Sequence, residues 1–377
     1  MSQARNFADL LASGTTITSD KLDDNAIHGQ RNLIINGACA ISQRGVSFTD
    51  LANGAYGLDR FHISKITGGA VDIKQTDDAP TASQAGYLLT KCLHADVTTA
   101  DSSVAASDMY TIRKSIEYKN IAHVGFGQSG TRYLTASFWV KSTKTGTFCC
   151  YIKTNAHNRA YTKEYTVSSS DTWEYKKLTF PVDTSNSADW NNNDSGGELG
   201  WTLYGGTDYH ITADTWTTTT NNYAPCTSNQ VNALDSASND FKITGVQLEV
   251  GSQASDFEHR SFGEELSLCQ RYFCKTYNYE TALGTATTVG QLFNSVDGTQ
   301  NYAYTGQFTF PVTMRATPSV TVYNPNNGTA GELAADGANL SAVVNAPGTG
   351  RVAIGVSNIS IGTSVYVRAH STADSEL

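Results

Sequence analysis

Apolar residues recur at every second position in short runs along most of the chain, the alternation of strands with one buried face. The clearest run is RYLTASFWVKS. It places Leu134, Ala136, Phe138 and Val140 on one face and Tyr133, Thr135, Ser137 and Trp139 on the other. NLIINGACAIS, YGLDRFHISKI, AVDIKQT, GYLLTKCLHADVT, TGTFCCYIKT, DTWEYKKLTFPV and LGWTLYGG read the same way, separated by Gly, Asn, Asp and Ser. RKSIEYKNIAHV fits a helix or a strand, and the strand is the preferred reading. In the stretch over 241–273, Phe241 and Ile243 alternate, Gly245 shifts the phase, and Val246, Leu248 and Val250 alternate again, which predicts a strand with a bulge at the glycine. Ser261 and Glu264 then form a capping-box pattern, and Phe262, Leu266, Cys269 and Phe273 share one face of a predicted helix. Beyond it, YAYTGQFTFPV, ATPSVTVYNP, LSAVVNAP, GRVAIGVSN and TSVYVRAHS are further short strands, and the polar ending ADSEL predicts a frayed tail.

The expected class is mainly β: a short N-terminal helical arm over residues 1–30, a jelly-roll-like β-sandwich over 31–260, a connecting helix over 261–275 and a smaller C-terminal β-sandwich over 276–377. The arm differs from the rest. Ala4, Phe7, Ala8 and Leu11 share a helical face, with Leu10 beside them, before a polar, turn-rich stretch too poor in large apolar groups to fold alone. Such a stripe needs a partner, and a frayed terminus is the plainer reading of the same residues.

Composition narrows the function. Charged residues are 16%, below the roughly 25% of an average globular protein, and Tyr (19) outnumbers Phe (14). A net charge of -9 opposes binding to nucleic acid. No run approaches the roughly 18 apolar residues of a membrane span, and the N-terminus lacks the apolar core of a signal peptide, so a soluble chain without membrane insertion or an export signal of its own is expected. Seven cysteines without a repeated spacing predict no disulfide framework, and Cys149 and Cys150 should point to opposite faces of a strand as small apolar fillers.

The eight histidines, at 28, 62, 94, 123, 157, 210, 259 and 370, form no local metal-ligand pair, and no cofactor motif, P-loop or nucleophile elbow is present, so neither metal nor cofactor is expected. Glycoside cleavage needs only two carboxylates, and Asp189, Asp194 and Glu198 lie near Trp190 and Trp201; solvated loop carboxylates, or ligands of a structural calcium, are the alternative uses. Sugar binding suits these loops better. An aromatic ring stacks on the apolar face of a pyranose while Asn, Asp and Thr bond its hydroxyls, which makes Trp190, Trp201, Tyr204, Tyr209, Trp216 and Tyr223 the candidate glycan contacts. Trp190 and Trp216 have the most polar neighbours. Against this, Trp201 and Tyr204 fit equally between two sheets, as do Trp139 and Trp173.

NLIINGACAISQRG, LTASFWVKSTKTGTF, DTWEYKKLTFPV and above all ITGVQLEVGSQASDFEHRSFGEELSLCQRYF resemble the carbohydrate-binding-like sandwich module of tail fibres and other virion structural proteins of tailed bacteriophages, over about residues 31–274. SQARNFADLLASG is similar to arms with which phage fibres dock on the particle, and FTFPVTMRATPSV with the ending ADSEL resembles C-terminal regions of the same class. The resemblance implies a non-enzymatic virion protein, a tail fibre forming a homotrimer. Its N-terminus would dock on other virion proteins through Phe7, Leu10 and Leu11, and its far end would attach to a host-surface glycan. A decoration protein on the capsid surface, or a polysaccharide depolymerase, is the alternative. No catalytic residue comes with the resemblance.

Overall fold

A computed structural model describes residues 31–153, 159–185, 195–219, 225–296, 302–336, 338–357 and 365–377. The expected docking residues Phe7, Leu10 and Leu11, the rings Trp190 and Tyr223, and the carboxylates Asp189 and Asp194 lie outside the described residues. The chain is mainly β, built from two sandwiches.

In the first sandwich, sheet I runs in the order Ser47–Phe48, Ala70–Thr76, Cys92–Thr99, Asp240–Val250, Tyr133–Ser142, Glu174–Pro181. Sheet II runs Thr217–Thr218, Arg159–Val167, Gly146–Lys153, Ser195–Gly205, Met109–Glu117, His62–Ile66. Neighbouring strands are antiparallel, and the chain crosses repeatedly from one sheet to the other. The alternation of RYLTASFWVKS is realised as expected: Leu134, Ala136, Phe138 and Val140 enter the core between the sheets. There Phe138 meets Trp201 and Tyr165 edge-on, at centroid distances of 5.5 and 5.3 Å. Each such ring or aliphatic side chain removed from water contributes roughly 1.5–3 kcal/mol. Cys150 lies in this core and Cys149 on the opposite face, as a strand requires.

The bulge at Gly245 is also present, with φ at +60° and a break in register between Thr244 and Gln247. NLIINGACAIS, however, forms turns instead of a strand. Its asparagines carry the backbone bonding. The Asn32 side chain donates to Val246 O and accepts from Leu248 N, at 3.0 and 3.1 Å, beside the bulge. The Asn36 amide donates to Ile41 O and Asp59 O and accepts from Ile41 N. Asn36 and Cys39 adopt positive φ, which ends any strand. RKSIEYKNIAHV divides: Met109–Glu117 is strand and Tyr118–Ile121 a helical turn.

The connecting helix spans Phe262–Gln270, capped by Ser261, whose hydroxyl accepts from Glu264 N at 3.2 Å. It stops short of Phe273, which instead begins the strand Phe273–Lys275 paired with Val365–Asp374. Cys269 is buried and Leu266 half-buried, while Phe262 is exposed and meets Tyr279 edge-on at 5.4 Å.

In the second sandwich Val365–Asp374 is the hub, pairing with Phe273–Lys275, Leu292–Val296, Ser319–Tyr323 and Glu332–Ala335. Across a core of Phe308, Phe310, Met314, Leu333, Val352, Ile354 and Val367 lies the sheet of Tyr302–Thr309, Arg351–Ser357 and Val343–Asn345. The tail expected to fray is docked between the two sandwiches. Glu376 pairs with Arg60 and, at 3.3 Å, with Arg44, while Arg44 also holds Asp374 at 2.9 Å. The Tyr56 hydroxyl donates to Leu377 O at 2.8 Å, and Arg315 donates to the carbonyls of Ser375 and Glu376. The two guanidinium planes lie over rings: Arg44 is 3.8 Å from the Phe273 centroid and Arg60 3.6 Å from that of Tyr272. Glu117 completes the joint, accepting from Arg271 at 2.7 and 2.9 Å and from the Tyr272 hydroxyl at 2.8 Å. A polar ending reads as loose from composition, but buried arginines supply the counter-charge that orders it.

Candidate functional site

Opposite the core, the alternation on sheet II sets out a polar face that carries Thr111, Arg113, Ser115, Tyr151, Lys153, Thr162, Glu164, Glu198 and Thr202. Its centre is closed to solvent. Glu198 bonds Arg113 at 3.0 Å and Lys153 at 3.1 Å, and all three are buried. Burial lowers the Lys153 ammonium to about 8. Burial, and then the Arg113 charge, lower His62 to about 3, so His62 is a neutral partner for the Ser115 hydroxyl at 3.1 Å. The Tyr151 ring lies across Gly200, where an added Cβ would come within 2.3 Å of it, so only glycine lets the ring lie flat.

At one side of this face the loops over 206–219 and 225–229 fold back onto the sheet. Tyr209 and Cys226 meet Met109 and Cys149 in a small buried cluster, and Ile211 N bonds Cys226 O at 2.8 Å while Cys226 N bonds Tyr209 O at 3.1 Å. Between the loops and the strand Arg159–Val167 an open groove of about 570 Å³ remains, lined by Glu164, His210, Ile211, Thr217, Thr227 and Asn229 among others. A hollow of about 180 Å³ adjoins it, shares His210, Ile211 and Thr217, and reaches Asp208 and Tyr209. Glu164 organises the groove: its Oε1 accepts from the Thr227 hydroxyl and, at 3.0 Å, from the Asn229 amide. Its Oε2 has no partner among the described residues. His210 uses one ring nitrogen on Gly205 O at 3.3 Å. Ile211 lines the groove together with a carboxylate oxygen, an imidazole, hydroxyls and an amide, which offer both donors and acceptors to a polyhydroxylated ligand.

The aromatic candidates fare unevenly. Trp201 is wholly buried between the sheets and Tyr204 is buried with its hydroxyl donating to Asp101 and Asp108, at 2.9 and 2.8 Å, so neither presents a face to a sugar. Burial, with those two carboxylates, pushes the Tyr204 phenol up. Trp216 is half-buried: its indole N–H donates to Pro181 O at 2.8 Å, and its ring packs edge-on against Tyr161 and Phe126 at 5.5 and 6.4 Å. Tyr209 borders the hollow, but its ring is largely covered and its hydroxyl donates to Ser107 O at 3.0 Å. Trp139 and Trp173 lie on the outer face of sheet I with Leu89, Cys92 and Phe257, and not between the sheets. Glu198, the described member of the carboxylate set, is locked in the ion network above, out of reach of a polymeric substrate. Among the described residues no three His, Cys, Asp or Glu side chains gather as a metal site, and no helix is long and apolar enough to cross a membrane.

Glu164, His210 and Asn229 were not among the residues that sequence reasoning selected. For Glu164 the signal is the polar half of the Arg159–Val167 alternation, a weaker cue than a tryptophan in a loop; His210 and Asn229 lie in loops and carry no periodic cue.

No protein-family model matches the chain, and no curated protein matches it in sequence. Solved structures similar to it include carbohydrate-binding modules. One described as CBM4 is 12% identical over 57% of this chain and 98% of its own, with a TM-score of 0.31. The family 11 carbohydrate-binding module of a cellulosomal cellulase of Clostridium thermocellum is 10% identical over 55% of this chain and 97% of its own, at 0.27. A sugar-binding protein, so described provisionally, from Bacteroides thetaiotaomicron is 13% identical over 59% of this chain and 100% of its own, at 0.29. Likeness at this level assigns neither a family nor a ligand.

Proposed function

We propose that the protein is a non-enzymatic glycan-binding component of a tailed-phage virion: a tail fibre, homotrimeric, docked through its N-terminal arm and attaching to a host-surface glycan. The observation that carries glycan binding is the open groove beside Glu164, which a carboxylate oxygen, an imidazole, hydroxyls and an amide line together with Ile211 on an otherwise closed sheet. The virion role is supported by the motifs over residues 31–274 and by the arm, whose Phe7 and Leu11 need a partner to cover them. Three copies would present three grooves, so weak single contacts would add up as avidity.

The test of the groove is binding of the full chain to an array of bacterial surface polysaccharides, beside the variants Glu164→Ala and Asn229→Ala. Each hydrogen bond to a charged acceptor contributes about 1.5–3 kcal/mol, so Glu164→Ala should weaken binding roughly 10- to 100-fold. Unchanged affinity in both variants would remove the groove as the site. For the assembly, light scattering should give three times the chain mass, and deletion of residues 2–12 should abolish incorporation into particles; a monomer, or normal incorporation, would count against the fibre reading.

A further inference from the structure

The second sandwich carries a feature that the groove does not explain. On the strands Leu292–Val296 and Val365–Asp374, the register places Phe293 opposite Arg368 and Ser295 opposite Tyr366. Their alternate neighbours Val367 and Ala369 enter the core, so Phe293, Tyr366 and Arg368 share the outer face. Phe293 and Tyr366 stack at 5.4 Å with 22° between their planes, yet 54% and 52% of their surfaces stay exposed. Two large rings held parallel and left open to water form a platform that folding alone does not require.

Polar groups flank the platform. Phe293, Tyr366, Arg368 and Asp336 line an open cavity of about 340 Å³. Asp336 is fixed by the backbone, its Oδ1 accepting from Tyr366 N at 2.9 Å. Arg368 pairs with no carboxylate among the described residues, and its buried Nε has no acceptor. In a chain of net charge -9, the Arg368 guanidinium is half-buried and lies within ion-pair distance of no carboxylate among the described residues, although burying a donor without an acceptor costs about 1–3 kcal/mol.

We infer that this face of the second sandwich is a separate binding site for an acidic saccharide, a glycan residue bearing a carboxylate such as a uronic or sialic acid. The sugar's apolar face stacks on Tyr366 and Phe293, its carboxylate takes the Arg368 guanidinium, and a hydroxyl donates to Asp336. The cavity is within the roughly 300–1,000 Å³ of small-ligand sites. Arg matches a carboxylate with two parallel N–H donors, a geometry that neutral hydroxyls do not use in full.

The test is calorimetric titration of the full chain with oligosaccharides ending in glucuronate, galacturonate or sialate, each beside its neutral counterpart, and of the variants Tyr366→Ala and Arg368→Gln. At least one acidic ligand is expected to bind tenfold or more tighter than its neutral counterpart. Arg368→Gln should erase that preference, and Tyr366→Ala should weaken acidic and neutral ligands alike by about tenfold. Arg368→Gln should erase the acidic preference equally in a Glu164→Ala background, so failure here and failure of the groove are distinguishable. The inference is overturned if no acidic ligand binds, if Arg368→Gln keeps the preference, or if Tyr366→Ala lowers the oligomer mass and leaves saccharide affinity intact, which would make the platform a contact between copies of this chain.

Discussion

Replacing Glu376 with alanine is expected to destabilise the protein by about 3–5 kcal/mol, the cost of leaving one side of a buried ion pair uncompensated. The side chains of Arg44, Arg60 and Glu376 retain 9%, 3% and 6% exposure, so water cannot replace the missing carboxylate. Arg44 would keep Asp374, which is 41% exposed and a weaker partner. Among the described residues Arg60 would keep the Ser115 carbonyl at 2.6 Å and the face of Tyr272. The loss should appear as a lower urea midpoint and as cleavage of the tail by a carboxypeptidase that spares the wild type. A paired Arg60→Met and Glu376→Met variant should recover most of the stability, because the penalty belongs to the orphaned charge and not to the absence of an ion pair. A change below about 1 kcal/mol in Glu376→Ala would mean that the tail does not hold the two sandwiches together.

Replacing Lys114 with methionine should act in the opposite direction, stabilising the protein by about 1–4 kcal/mol at neutral pH. Lys114 stands on the inner face of its strand, opposite Leu199, with its amine 3.3 Å from the centre of the Phe61 ring and without a hydrogen-bond partner among the described residues. Burial lowers its pKa from 10.5 to about 7, and the nearby Arg60 charge adds to that. Between about 7 and 10.5 the unfolded chain holds a proton that the folded chain lacks, so wild-type stability rises with pH across this window. Below about 7 both states are protonated and the full penalty applies. The advantage of Lys114→Met should therefore be largest at and below pH 7 and shrink steadily toward pH 10.5, as read from urea melts at a series of pH values. A gap that does not change with pH would contradict a lysine neutralised by burial.

These two sites also show how far the sequence was legible. The alternation of 109–117 is regular, and a lysine on its inner face reads as a surface residue until the sheet opposite is known. The polar tail reads as frayed until Arg44 and Arg60, over 300 residues earlier, are brought to it. Trp201, which fitted a glycan contact or a place between the sheets, is buried for a similar reason. Alternation separates two faces of a strand without saying which is inside, and sheet II buries both.

The sequence by itself determined the β class, the strand over Tyr133–Ser142, the bulge at Gly245 and the cap at Ser261, because each depends on residues within a few positions of one another. Only the tertiary structure decided which polar and aromatic surface stays open. The Glu164 groove and the Phe293–Tyr366 platform each bring together residues tens of positions apart, and their openness depends on which loops and strands cover the neighbouring surface. Burial is set by long-range packing, and no local pattern of residues encodes it.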